Sequence, residues 1–113
     1  MAIDYIGIKK TFDKFRKDYL VYARIIKKKA LEFFKERLYS VIIFGSTIEE
    51  KAKPLSDIDI AIILMDHAND FERAKFRVLI DKVFGLHPFE IHIITVEEWE
   101  NWFKRFVKKY TII

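Results

Sequence analysis

The sequence predicts an α/β protein, a small mixed β-sheet flanked by α-helices. Three short apolar runs rich in β-branched residues, 40–44, 57–64 and 89–95, are separated by stretches with helical periodicity. Two capping-box patterns, Asn69 with Glu72 and Thr95 with Glu98, mark helix starts beside those runs. The order strand, helix, strand from 57 to 95 is a crossover, which favours a parallel pair.

The elements follow in order. Residues 11–38 read as one long helix, with Phe12, Phe15, Tyr19, Tyr22, Ile26, Ala30, Phe33 and Phe34 near helical spacing and basic residues between them. Residues 40–44 form a first strand that Gly45 ends. Pro54 and a charged cluster make 46–55 a short helix or loop. Residues 57–64 form a second strand, apolar enough to be buried on both faces. The helix capped at Asn69 ends at Gly85, and Pro88 prevents its continuation. Residues 89–95 give the third strand. A last helix over 96–110 carries Trp99, Phe103, Phe106 and Tyr110 on one stripe, with Trp102 off it. The whole of 1–113 reads as one domain with a core over 40–95, without repeats or linkers.

Composition narrows the class. Hydrophobic residues make up 51% and charged residues 34%, which suits a globular chain able to bury about two-thirds of its unfolded surface. The longest apolar runs are too short for a membrane-spanning helix, and the N-terminus lacks a signal peptide's apolar block, so no membrane association is expected. With Cys 0, disulfides and thiolate metal sites are excluded, which fits the cytoplasm. Glutamine is absent and Asn69 and Asn101 are the only asparagines, a low-amide, charge-rich composition like that of thermophile proteins.

Net charge is +4, its excess concentrated in the first helix and at the end (Lys104, Arg105, Lys108, Lys109). Solvated helix faces account for such runs most simply. Contact with nucleic acid is the functional alternative, unsupported by any aromatic-basic recognition motif.

The chemistry-bearing residues are Gly45-Ser46 at the end of the first strand and Ser56-Asp57-Ile58-Asp59 at the start of the second. Side chains alternate along a strand, so Asp57 and Asp59 project from one face. Glu90, early in the third strand, reaches the same sheet end if the second and third strands are parallel. The Gly-Ser turn arrives there too if the first strand is antiparallel to the second. Gly45 allows close backbone approach, and Ser46 offers a hydroxyl and a backbone N–H suited to phosphate. Paired carboxylates suit Mg²⁺, in one or two ions with Glu90's help. The plainer readings are a common turn for Gly-Ser, a cap or turn bond for the aspartates and an exposed carboxylate for Glu90. His92 shares Glu90's face, where a hydrogen-bonded structural histidine is the favoured reading.

Taken together, Gly45-Ser46, nine intervening residues, Ser56-Asp57-Ile58-Asp59 and a later strand acid resemble the minimal nucleotidyltransferases of the DNA polymerase beta superfamily. The resemblance covers about 40–95. It implies a mixed sheet with flanking helices and transfer of a nucleoside monophosphate from an NTP, ATP above all, to an acceptor hydroxyl. It assigns Gly45, Ser46 and Ser56 to the nucleotide, and Asp57, Asp59 and Glu90 to Mg²⁺ and catalysis. Many small members pair with a helical HEPN-type protein in a toxin–antitoxin system, and a homodimer would equally complete the cleft. Glu49 and Glu50 stand where the family usually has arginine and glycine, next to a triphosphate they would repel. That departure sustains a rival reading, a catalytically degenerate antitoxin that masks a helical RNase.

Overall fold

The computed structural model describes residues 4–49 and 56–113. Four strands form one sheet in the order β3-β2-β1-β4: β1 (Leu38–Phe44), β2 (Ile58–Leu64), β3 (Phe89–Thr95) and β4 (Tyr110–Ile112). β1 runs antiparallel to β2 and β4, and β2 runs parallel to β3. Both pairings expected among the first three strands are therefore present. Helices α1 (Tyr5–Lys17), α2 (Tyr19–Phe34) and α3 (Asp70–Phe84) precede and interrupt them.

Alternation along β2 divides the core between the two sheet faces. Ile58, Ile60, Ile62 and Leu64 join Val41, Ile43, Ile91 and Ile93 beneath Ala23, Ile26, Ala30 and Phe34 of α2 and Phe76 and Ile80 of α3. Each fully buried aliphatic side chain here contributes about 1.5–3 kcal/mol. Phe76 anchors the joint between α2 and α3, with ring centroids 5.5 Å from Phe33 and 5.4 Å from Phe34. On the opposite face Ile42, Ala61, Ile63 and Ile94 lie under Trp99, flanked by Phe44, Phe103 and Val107. That second cover is smaller, and it leaves the sheet open at the start of β2 and β3.

Both capping boxes form reciprocally. Asn69 Oδ1 accepts from the Glu72 N–H at 2.8 Å, and Thr95 Oγ1 accepts from the Glu98 N–H at 3.1 Å. Gly85, at φ +70°, ends α3 as expected.

Several boundaries differ from the sequence reading, and β1 begins two residues before the predicted 40–44, at Leu38. The helix of 11–38 is two helices that begin earlier, at Tyr5, where Asp4 Oδ1 accepts the Gly7 N–H at 2.9 Å. They break at Asp18, whose φ of −115° and ψ of 36° leave the helical region, and the second ends at Phe34 because Lys35 turns to φ +54°. The last helix, predicted over 96–110, stops at Phe106. It comprises α4 (Val96–Glu98), a π-helical turn (Trp99–Phe103) and α5 (Lys104–Phe106). The chain then doubles back as β4, so Tyr110 meets Trp99 edge-on at 5.1 Å from across a turn rather than along a helix. Pairing with β1 satisfies backbone groups that an open edge would leave unpaired. Finally, β2 begins at Ile58, so Asp57 lies just before the strand.

Candidate functional site

Register brings the site together. Phe44 on β1 stands opposite Asp59 on β2, which stands opposite Glu90 on β3, with His92 beside Ala61 one step further along. Asp59 is the polar interruption in an otherwise buried strand. One carboxylate oxygen of Asp59, one of Glu90 and a ring nitrogen of His92 lie within 4.8 Å of one another. His92 Nε2 is 3.2 Å from Asp59 Oδ1 and 3.8 Å from Glu90 Oε1. Its ring also packs on Phe44 at 5.3 Å, which fixes its direction.

Gly45 ends β1 against this group. At φ +86° it occupies a conformation that favours glycine, and a Cβ there would lie 2.3 Å from Asp59 Oδ2. Backbone freedom and close approach are thus required at one position. The chain leaves Gly45 in a tight turn in which the Glu49 N–H donates to the Gly45 carbonyl at 3.1 Å. Ser46 and Thr47 lie in that turn, and Thr47 Oγ1 is buried without a hydrogen-bond partner among the described residues. An unpaired buried hydroxyl costs about 1–3 kcal/mol, which a ligand oxygen would relieve. Described residues stop at Glu49 here, so Glu50, Lys51, Lys53, Pro54 and most of the predicted 46–55 loop lie outside them.

Of the acids singled out by sequence, Asp59 and Glu90 come together and Asp57 does not join their group. Asp57 is exposed at the mouth of β2, near enough for its charge to act on Glu90. The Glu90 carboxyl is held above the usual carboxylate range, by partial loss of water first and then by Asp59 and Asp57, with His92 opposing. Ser56 presents its carbonyl to the guanidinium of Arg16, which ties α1 to the start of β2. His92 has the hydrogen bond expected of a structural histidine, yet its partner is the central carboxylate. Its position two residues beyond Glu90, on the same strand face, was the available signal. Nothing in the local pattern singled out Thr47 or Arg16.

Two openings adjoin the cluster. One, of about 350 Å³, is bounded by Phe44, Gly45, Glu49, Trp102, Phe103 and Phe106. The other, of about 340 Å³, is polar and reaches Glu90 and His92 from the β3 edge, past Arg77 and Asp81.

A mixed four-stranded sheet with flanking helices, a carboxylate cluster at one end and a glycine turn pressed against it, has the fold of nucleotidyltransferases. The family model described as a nucleotidyltransferase domain matches residues 23–113. A provisionally assigned nucleotidyltransferase of known crystal structure is 32% identical with a TM-score of 0.64, over 80% of this chain and 95% of that one. Another such protein, from Sulfolobus solfataricus, is 20% identical with a TM-score of 0.55, over 99% of this chain and 87% of that one. A spectinomycin adenyltransferase from Enterococcus faecialis, solved with ATP and spectinomycin, is 24% identical with a TM-score of 0.54. Its match covers 71% of this chain and 36% of that one. These last two likenesses concern the fold alone. No curated protein matches the chain. The chain belongs to the nucleotidyltransferase domain family and is, by class, a nucleotidyltransferase. Among the described residues, no helix is long and apolar enough to cross a membrane.

Proposed function

We propose that this nucleotidyltransferase transfers a nucleoside monophosphate, AMP from ATP, to a hydroxyl on a protein or nucleic-acid acceptor, with pyrophosphate leaving. The observation that carries the reading is the approach of Asp59, Glu90 and His92 within 4.8 Å beside the Gly45 turn. Two neighbouring carboxylates suit Mg²⁺ or Mn²⁺, so the acidic pair fits a divalent cation. Asp59 and Glu90 would hold it, with Asp57 adding charge from the strand mouth. Bound there, the cation supplies charge stabilisation to the phosphate oxygens and acidifies the attacking hydroxyl.

The chain's own groups have separate tasks. The acceptor oxygen forms a bond to the α-phosphorus as the bond from that phosphorus to the β-phosphate bridge breaks. Glu90, beside Asp59 at the site, would help receive the hydroxyl proton. His92 holds the Asp59 carboxylate in orientation. Gly45 admits the phosphates close to the backbone, where Ser46 and the buried Thr47 hydroxyl, unpartnered among the described residues, offer polar contacts.

The test is incubation with α-phosphate-labelled ATP, Mg²⁺ and candidate protein and RNA acceptors. Label should move to an acceptor with the native chain and fall to background with Asp59→Asn. Transfer unaffected by that substitution rejects the assignment. The second reading, an antitoxin that masks a helical HEPN-type RNase without catalysis, draws on Glu49, an acid beside the Gly45 turn. It requires a tight partner complex indifferent to Asp59→Asn and no ATP binding.

A further inference from the structure

The opening bounded by Phe44, Glu49, Trp102, Phe103 and Phe106 begins at Gly45, hence at the acid cluster, and runs outward beneath the π-helical turn. Its floor is continuous with the cluster, since the His92 ring touches Phe44 at 5.3 Å and Phe103 at 6.3 Å. At its outer end Trp102 and Phe106 lie against one another, centroids 5.3 Å apart, yet remain 62% and 68% exposed. Large aromatic side chains left so open are a cost in water unless something covers them. Among the described residues lining this opening there is no lysine or arginine, and Glu49 is the one charged group. A polyphosphate is therefore unsuited to it, whereas a flat ring bearing an amine is well suited.

We propose that this cleft receives the nucleobase of the NTP, with Trp102 and Phe106 as the stacking surface and Glu49 accepting a hydrogen bond from an exocyclic amine. This rests on the nucleotidyltransferase reading above and adds the base-recognition residues to it. Adenine, cytosine and guanine carry such an amine and uracil does not, so the cleft discriminates against UTP. The triphosphate then extends from the cleft mouth past Gly45 to the acids, and the polar opening on the β3 side is left for the acceptor.

Calorimetric titration of the full chain with ATP, UTP and inorganic tripolyphosphate, each with Mg²⁺, tests the assignment. Trp102→Ala should weaken ATP by about tenfold, as the loss of one base–aromatic stack does, and leave tripolyphosphate unchanged. Trp102→Phe should restore most of the affinity, and Glu49→Ala should shrink the ratio of ATP to UTP affinity. Because Trp102 is largely exposed, circular dichroism should report a folded variant. If native chain binds ATP and tripolyphosphate alike and Trp102→Ala changes neither, the base cleft is refuted while the transferase reading stands. If Trp102→Ala leaves ATP binding intact but dissociates a dimer, a second copy covers the aromatics and the proposal fails. If neither ligand binds native chain, both readings fall.

Discussion

Gly45→Ala would test a backbone requirement and a collision at the same atom. At φ +86° a residue with a Cβ is strained by about 1–2 kcal/mol. At this chain length that corresponds to a fall in Tm of roughly 4–8 °C. The new methyl would also stand 2.3 Å from Asp59 Oδ2 and 3.2 Å from its Cγ, so the carboxylate must withdraw by about 1 Å to reach ordinary contact. Asp59 cannot withdraw without loosening its 3.2 Å approach to His92 and its place beside Glu90. Misplacing a reacting constellation by about 1 Å costs about a hundredfold in rate. Gly85→Ala is the matched control, since it shares a left-handed φ of +70° but has nothing among the described residues within 4 Å of the added Cβ. Thermal denaturation and Mn²⁺ titration of both variants separate the two effects. Both should lose stability, and only Gly45→Ala should also lose cation affinity, by at least tenfold. Equal cation affinity in the two variants would refute the claim that Gly45 makes room for a ligand carboxylate.

Further outcomes follow from the same geometry. Asp59→Asn should abolish Mn²⁺ binding, and Asp57→Asn should only weaken it, because Asp57 lies outside the 4.8 Å group; equal losses would return Asp57 to the cluster. Phe76→Ala removes a fully buried ring between α2 and α3 and should cost about 3–5 kcal/mol by denaturant unfolding. Arg37 holds the Glu72 carboxyl below the usual carboxylate range, so the folded state favours its charged form. That contribution is present above about pH 4.5 and is lost as pH falls below it, toward the lowered folded value. Glu72→Gln, which keeps the cap to Asn69, should therefore destabilise at pH 7, and progressively less as pH falls below about 4.5. A destabilisation independent of pH would assign the effect to the cap instead.

Much of this arrangement was legible in residues that act locally. Asn69 with Glu72, and Thr95 with Glu98, announce helix starts through bonds confined to four residues. The crossover between β2 and β3 fixes their parallel sense, and with it the meeting of Asp59 and Glu90. What escaped were features decided by distant contacts. The break at Asp18 leaves Phe15, Tyr19 and Tyr22 near helical spacing, and Phe15 and Tyr22 still touch at 4.8 Å, so periodicity runs through it unbroken. Tyr110 falls on the aromatic stripe of a helix but is claimed by the free edge of β1, more than sixty residues earlier. Asp57 and Asp59 look equivalent in sequence. The strand begins between them, and only the second is held against Gly45 and His92. His92 was visible as a neighbour of Glu90, but its bond to Asp59 depends on the register between two strands.

The most direct test is anomalous diffraction from a crystal soaked with Mn²⁺ and a non-hydrolysable NTP. The account requires a manganese peak in contact with the carboxylates of Asp59 and Glu90, with the phosphates reaching the Gly45 turn. Manganese bound only elsewhere, or a nucleotide held away from Gly45, would contradict it.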